Sequence, residues 1–301
     1  MTISGAENPT SYFSPPVATL DPKLFQGKNL QTWVRQGVLT LLYDYLHQSY
    51  RHAELWAHAW LAGSGVSYQW SAAREPGDLD CLVGVNFVQF RKANPEYMGL
   101  TDKEIAEQIN EGFRENLQPQ TENWNGYELT FYVNPTATDI RAIKPYAAYD
   151  LKYNEWTVTP DPNQSAPSKP EWENVARNDH ELSHQAYTRF ETALNDLKYA
   201  RDNASRRNAE VRLNAAIQQG NALYEEIHGS RGEAFSSAGE GYGDFHNYRW
   251  QAAKGFGTID KLRIIRDYSK TGQKQHQSEL YGVELPDADT LIRRAATYGN
   301  K

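Results

Sequence analysis

The sequence predicts an α+β fold in which a strand-containing N-terminal domain precedes a mostly helical C-terminal domain. Three observations support this prediction. Apolar segments with strand character lie in the first half of the chain, at residues 79–87 and 127–133. A proline-rich segment without apolar periodicity occupies residues 160–170, and apolar residues recur at helical spacing beyond it. The predicted parts are a flexible arm at residues 1–20, a first domain at 21–160, a linker at 161–170 and a helical domain at 171–301.

The composition indicates a globular protein and excludes several kinds of site. Of the 301 residues, 39% are hydrophobic and 23% are charged, which is a typical globular balance. The single cysteine excludes a disulfide framework and a cysteine-based zinc cluster, and it favours a reducing compartment. The net charge of −7 disfavours a surface that grips long nucleic acid through its phosphates.

The sequence also carries no signal for a membrane. No apolar run approaches the roughly 18 residues that a spanning helix needs. The start of the chain lacks the basic residues and the apolar stretch of a signal peptide. We therefore expect a cytoplasmic protein without a membrane partner.

The first predicted elements lead to an interruption by glycine. Apolar residues recur at three- and four-residue steps between residues 33 and 45, which predicts a helix. A helical or mixed segment is expected at residues 53–62, and the sequence Gly63-Ser64-Gly65 ends it. Residues 79–87 (LDCLVGVNF) form a short apolar segment with β-branched residues, which predicts a buried strand.

A helix and a second strand follow. Thr101, with Glu104 three residues later, is typical of a capping box at the start of a helix. In residues 127–133 (YELTFYV), apolar residues alternate with other residues, which predicts a strand with one buried face. Glu128 and Thr130 then lie together on the opposite, polar face of that strand.

The second half of the chain predicts helices. Two apolar stripes at helical spacing predict two antiparallel helices joined near residues 202–207. Residues 229–243 contain five glycines, which predicts a loop, and a last helical stretch is expected from about Asp244 onward. The stripes consist of Tyr187, Phe190, Leu194 and Leu197, and of Leu213, Ile217, Gly220, Leu223 and Ile227.

The residues that most clearly indicate a chemical function lie in the first half of the chain, between positions 63 and 80. Gly63 and Ser64 follow an apolar run, and Asp78 and Asp80 stand at the start of the strand predicted at residues 79–87. Residues i and i+2 of a strand point the same way, so the two aspartates project together. Two adjacent carboxylates repel each other unless a cation lies between them, and oxygen ligands suit Mg²⁺ or Mn²⁺. The glycine lets a phosphate approach the backbone, and the serine offers hydrogen-bond donors to it.

This series of residues resembles the motif of the nucleotidyltransferase superfamily typified by DNA polymerase β. The motif consists of an apolar residue, a glycine, a glycine or serine, a spacer, and an Asp-apolar-Asp or Asp-apolar-Glu triplet. Ala62-Gly63-Ser64 and Asp78-Leu79-Asp80 match it, and the resemblance covers about residues 50–155. It implies a mixed-sheet domain that binds a nucleoside triphosphate together with Mg²⁺ or Mn²⁺.

The resemblance also implies roles for individual residues. Asp78 and Asp80 would hold two metal ions, and a third carboxylate on a later strand would hold one and draw the proton from the acceptor. Glu128 is the first candidate for this third carboxylate, because it lies on the polar face of the strand predicted at residues 127–133. Asp139, in a predicted loop, and Asp150, in an aromatic segment that is a further strand candidate, are the alternatives.

Other polar residues give weaker signals. Gly63 and Ser64 would contact phosphate groups, and Arg74 is a candidate for steadying the triphosphate, or else an ordinary surface charge. His246, Arg249 and Lys254 follow one another at helical spacing. They would either line a cleft that faces the acceptor or form a polar helix face.

The predicted function is the transfer of a nucleoside monophosphate from a nucleoside triphosphate to an acceptor, with release of pyrophosphate. The acceptor stays open between a small molecule, a protein and RNA. The alternative is a catalytically inactive nucleotide-sensing or protein-interaction module on the same fold.

Overall fold

A computed structural model of the chain describes residues 10–70, 77–167 and 169–281, with side chains described up to residue 272. It has the predicted α+β character, with a mixed five-stranded sheet and a helical C-terminal region. The strands are β1 (Phe25–Gln26), β2 (Asn29–Leu30), β3 (Ala57–Ala62), β4 (Gly77–Val85), β5 (Tyr127–Val133), β6 (Ala148–Asp150) and β7 (Glu155–Val158). The α-helices are α1 (Thr32–Ser49), α2 (Ala53–Trp56), α3 (Phe87–Ala93), α4 (Asp102–Gly112), α5 (Gln118–Thr121), α6 (Pro170–Tyr199), α7 (Asn203–Ala234), α8 (Phe245–Gly255) and α9 (Thr258–Tyr281).

The five-stranded sheet has the order β5-β4-β3-β6-β7. Strand β3 runs antiparallel to both of its neighbours, β4 and β6, and β6 runs antiparallel to β7. Strands β4 and β5 are parallel, and the chain between them contains helices α3, α4 and α5. A parallel pair requires such a long crossover, because the chain must return to the same end of the sheet.

The main hydrophobic core lies on one face of this sheet. Helix α1 buries Val34 and Val38, and helix α4 buries Ile105, in the same cluster as Leu79 and Leu129 of the strands. The alternation predicted for residues 127–133 is confirmed, since the odd-numbered positions of β5 are buried. Burying the apolar face in this way directs the even-numbered positions of β4 and β5 to the other side of the sheet.

The capping box predicted at Thr101 is confirmed. Oγ1 of Thr101 accepts a hydrogen bond from the backbone N–H of Glu104, and the Glu104 carboxylate accepts one from the backbone N–H of Thr101. Beyond α4 the chain continues as a π-helix over Phe113–Leu117, so the helical segment extends well past the last turn of α4.

The opposite face of the sheet is covered in part by the helical region. Trp60 and Ala62 of β3 and Ala148 of β6 form a second cluster with Ile140, and Phe235, directly after α7, packs against it. Within the helical region, α6 and α7 form the predicted hairpin, and α8 and α9 pack against both of them. Helix α8 is tied to α6 by a buried ion pair between Arg249 and Asp179, at 2.6 Å.

The described part of the predicted flexible arm is packed. Tyr12 is fully buried, and its hydroxyl donates a hydrogen bond to the backbone oxygen of Tyr242, at 3.1 Å. The side chain of Gln69 donates to the backbone oxygens of Tyr12 and Ser14. Residues 10–20 therefore differ from the expected loose arm, because an aromatic side chain buried between two parts of the fold fixes them.

The predicted glycine-rich loop at residues 229–243 is wrong in its first part. Helix α7 continues to Ala234 and includes Gly229 and Gly232, where a Cβ would meet nothing within 4 Å. Glycine weakens a helix only modestly, and the apolar residues of α7 that pack against its neighbours outweigh this cost.

Among the residues that the structure describes, none of the helices is both long and apolar enough to cross a bilayer.

Candidate active site

The register of β4 and β5 places Asp78, Asp80 and Glu128, the preferred carboxylates of the sequence prediction, on one face of the sheet. Asp78 pairs with Glu128, and Asp80 pairs with Thr130, in the parallel ladder between these strands. Paired residues of adjacent strands lie about 5 Å apart and point to the same side. Thr130 donates a hydrogen bond from Oγ1 to Oδ1 of Asp80, at 3.0 Å. Asp78, Asp80 and Glu128 thus share the face opposite the main core.

The turn after β3 lies directly against this carboxylate pair. Ala62 pairs with Asp80 across β3 and β4, and the chain then turns at Gly63, whose φ is +86°. A Cβ on Gly63 would come within 2.7 Å of Oδ2 of Asp80. A Cβ on Gly65 would come within 2.5 Å of the backbone oxygen of Asp78. Glycine is therefore required at Gly63 by its positive φ and at Gly65 by the close approach of backbone, and a side chain at position 63 would in addition displace the Asp80 carboxylate.

Ser64 opens a short 3₁₀ turn beside the aspartates. The turn covers Ser64–Val66, and the backbone oxygen of Ser64 accepts hydrogen bonds from the backbone N–H and from Oγ of Ser67, at 3.0 and 2.9 Å. These bonds fix the backbone of the turn, which lies beside the first residues of β4. The sequence prediction that Gly63 and Ser64 accompany Asp78 and Asp80 in space is consistent with this arrangement.

The electrostatics of the site centre on Asp80. Desolvation by the surrounding protein, together with the negative charge of Asp78, raises the pKa of Asp80 to about 6. The hydrogen bond from Thr130 and the positive charges of Arg231 and Lys254 act in the opposite direction. The Asp80 side chain remains accessible to solvent on its open side. Two neighbouring carboxylates with excess negative charge form a hard oxygen donor set, and this set fits Mg²⁺ or Mn²⁺.

Within residues 10–70, 77–167 and 169–272, no three Asp, Glu, His or Cys side chains lie close enough together to form a complete metal-binding group. The carboxylates of the candidate site are the pair Asp78 and Asp80, with Glu128 on the adjacent strand.

The two alternative third carboxylates have other partners. Oδ2 of Asp150 lies 2.6 Å from Nε2 of His58, and its Oδ1 accepts the backbone N–H groups of Lys152 and Tyr153. Asp150 is buried and closes the turn between β6 and β7. Asp139 caps the 3₁₀ turn at Ile140–Ile143 and forms an ion pair with Arg141. Of the three candidates, Glu128 is the one that lies on the strand next to Asp78 and Asp80.

The basic residues that the sequence predicts for the site differ in whether they lie near Asp80. Arg74 lies outside the described residues. Lys254 lies near enough to Asp80 to lower its pKa, as a cleft-lining residue would. Arg249 is instead buried and paired with Asp179 and Glu226, so it is a structural residue rather than a lining one.

Sequence reasoning missed Arg231. This residue lies in the last turn of α7, in the segment predicted to be a loop, and it is the other cation that lowers the pKa of Asp80. No local signal identifies it, because about 150 residues separate it from Asp80 and only the packing of α7 against the sheet brings the two together. His246, the remaining predicted lining residue, has Nε2 at 3.9 Å from the Glu233 carboxylate.

Comparisons of the chain with models of protein families, with curated proteins and with solved structures found no significant match.

Proposed function

We propose that the protein is a metal-dependent nucleotidyltransferase, which transfers a nucleoside monophosphate from a nucleoside triphosphate to an acceptor and releases pyrophosphate. One observation carries the proposal. Asp78 and Asp80 share a sheet face with Glu128 on the adjacent parallel strand, and a glycine turn lies against the two aspartates. This arrangement combines metal ligands, a place for phosphate and a candidate base at one edge of the sheet.

Asp78 and Asp80 are the pair that would hold Mg²⁺ or Mn²⁺, with Glu128 on the adjacent strand as the proposed third carboxylate. When bound, such ions neutralise triphosphate charge and stabilise the attacking and leaving oxygens of a phosphoryl transfer. Thr130 orients Asp80 through its hydrogen bond to Oδ1, so that Oδ2 faces the glycine turn. The turn at Gly63 and Ser64 supplies backbone N–H groups and a hydroxyl for phosphate oxygens.

Glu128 is assigned the role of the general base. It accepts the proton of the acceptor hydroxyl, whose oxygen forms a bond to the α-phosphorus of the nucleotide. The bond between the α-phosphorus and the bridging oxygen breaks, and pyrophosphate leaves with that electron pair. One P–O bond of the anhydride is broken for the one P–O ester bond that forms, so the step needs no oxidant or reductant.

The first test is binding. Calorimetric titration of the protein with ATP, CTP, GTP and UTP, each with Mg²⁺, is expected to show binding of at least one of them. The double variant Asp78→Asn, Asp80→Asn is expected to lose the Mg²⁺-dependent part of that binding. Asp139→Asn serves as the control, because it removes a carboxylate that lies outside β4 and is paired with Arg141. Absence of binding to all four nucleotides, or full binding by the double variant, contradicts the proposal.

Turnover separates an enzyme from a nucleotide-sensing module. The protein is incubated with an α-³²P-labelled nucleotide and Mn²⁺, in the presence of RNA, a protein mixture or a set of small hydroxyl compounds. Transfer of label that depends on Glu128 supports the transferase. Tight nucleotide binding without transfer or pyrophosphate release under any condition favours the inactive module.

A further inference from the structure

The end of helix α7 is fixed over the site face of the sheet. Phe235, the residue after the helix, packs against the cluster that contains Trp60 and Ala62 of β3. The side-chain amide of Asn134, just beyond β5, donates a hydrogen bond to the backbone oxygen of Phe235, at 3.0 Å. Arg231 lies one helical turn before Phe235 and is therefore held above the strands that carry Asp80 and Thr130.

Two aromatic rings hold the side chain of Arg231. Its guanidinium carbon lies 5.3 Å from the ring centre of Trp250 and 5.6 Å from that of Phe235. A guanidinium near aromatic faces is attracted to them without losing its hydrogen-bond donors, which lie in its plane. The rings therefore position the charge and leave the donors available.

The donors of Arg231 have few acceptors around them. Its Nε is buried and makes no hydrogen bond to any residue in the described part of the chain. No carboxylate of that part lies within 4.0 Å of Arg231, whereas Arg249 on the neighbouring helix is paired with both Asp179 and Glu226. A buried donor without an acceptor costs free energy. An arginine held in this way next to a carboxylate site is suited to an anionic ligand.

We propose that Arg231 binds phosphate oxygens of a polyphosphate that lies between the sheet face and the helical region. The planar guanidinium matches the geometry of phosphate and can bind two of its oxygens at once. That the polyphosphate belongs to a nucleoside triphosphate rests on the function proposed above. Arg231 then makes the helical region part of the substrate site: the strands hold the metal-binding carboxylates, and α7 holds the phosphates.

The test compares Arg231→Gln with the unmodified protein in calorimetric titrations with ATP·Mg²⁺ and with inorganic tripolyphosphate and Mg²⁺. Loss of a charge-assisted hydrogen bond is expected to weaken binding of each ligand roughly 10- to 100-fold. Arg231→Lys, which keeps the charge but not the planar fork, is expected to weaken it less. Arg266→Gln is the matched control: Arg266 also stacks on a ring, that of Tyr224 at 4.3 Å, but it is not among the charges that act on Asp80. It should bind as the unmodified protein does.

The number of phosphates on the ligand distinguishes a phosphate contact from a general loss of structure. The ratio of dissociation constants between Arg231→Gln and the unmodified protein should be largest for ATP, smaller for AMP and close to one for adenosine. Equal ratios for ATP and adenosine, or unchanged ATP binding by Arg231→Gln, overturn the inference. Thermal unfolding of both variants checks that each is folded.

The outcomes for the two proposals are separable. If the protein binds ATP and Arg231→Gln binds it equally well, the role of Arg231 is wrong while the nucleotidyltransferase proposal stands. If the protein binds tripolyphosphate through Arg231 but none of the four nucleotides, the phosphate site stands and the nucleotidyltransferase proposal falls. If it binds neither ligand, both are wrong.

Discussion

Gly63 approaches Asp80 so closely that a single added carbon atom on Gly63 would lie 2.7 Å from Oδ2 of the carboxylate. The glycine turn and the aspartate pair are therefore one structural unit, although 17 positions of sequence separate these two residues. Any side chain at position 63 must displace either the turn or the carboxylate.

The first prediction concerns this contact. Gly63→Ala is expected to abolish Mg²⁺-dependent nucleotide binding and to lower the free energy of unfolding by about 1–3 kcal/mol, because alanine is strained at this positive φ. Gly126→Ala is the matched control, since Gly126 has a φ of +88° but a Cβ there would meet nothing within 4 Å. We expect Gly126→Ala to lose similar stability in chemical denaturation and to keep nucleotide binding in calorimetry. Equal binding by the two variants would contradict the role of the contact.

The second prediction concerns the pH dependence of stability. Because the pKa of Asp80 is raised to about 6 in the folded protein, from an ordinary value of 3.8, the folded state holds this proton more tightly than the unfolded state. The corresponding stability is present below about pH 4 and is lost as the pH rises through about 6. Asp80→Asn should therefore gain stability relative to the unmodified protein between pH 4 and 7. The gain should be on the order of 1 kcal/mol, because solvent screens the accessible carboxylate.

Urea denaturation at several pH values, with EDTA present throughout, measures this difference. Asp139→Asn, in which the substituted carboxyl has its pKa lowered by Arg141, should show the opposite trend, a relative loss of stability as the pH rises to about 4, the ordinary pKa of the carboxyl. A constant difference between Asp80→Asn and the unmodified protein across the range would contradict the predicted environment of Asp80.

The third prediction separates the candidates for the third carboxylate. Glu128→Gln is expected to reduce nucleotide transfer at least 100-fold, because it removes a general base and a metal ligand, while it leaves the melting temperature nearly unchanged. Asp150→Asn, in contrast, weakens the contact with His58 and the turn after β6. It should lower the free energy of unfolding by about 1–3 kcal/mol and leave nucleotide transfer intact. Transfer assays and thermal unfolding of both variants check this, and loss of transfer only in Asp150→Asn would reassign the role.

The fourth prediction concerns the ion pair that ties α8 to α6. Arg249→Met leaves the carboxylate of Asp179 buried without its cation and should destabilise the protein by about 3–5 kcal/mol. Arg212→Met, which breaks the exposed pair with Asp196, should cost less than about 1 kcal/mol. Denaturation midpoints of the two variants test the contrast. Similar midpoints would mean that Arg249 is not the buried structural residue described above.

The sequence by itself determined the features that depend on short-range spacing. The alternation in residues 127–133 predicted both the strand and the face on which Glu128 lies, and the spacing of Thr101 and Glu104 predicted the capping box. The i and i+2 positions of Asp78 and Asp80 placed both on the same side of β4. Each of these follows from the geometry of a few consecutive residues, which holds in any fold.

Only the tertiary structure decided which distant residues meet. The ladder between β4 and β5 set Glu128 beside Asp78, and the docking of α7 on the sheet set Arg231 near Asp80. The same packing made a helix of residues 229–234, where glycines had predicted a loop, and buried Tyr12 in a segment expected to be loose. Strand register and helix docking are fixed by the complementary burial of many apolar side chains far apart in the chain, so no local pattern encodes them.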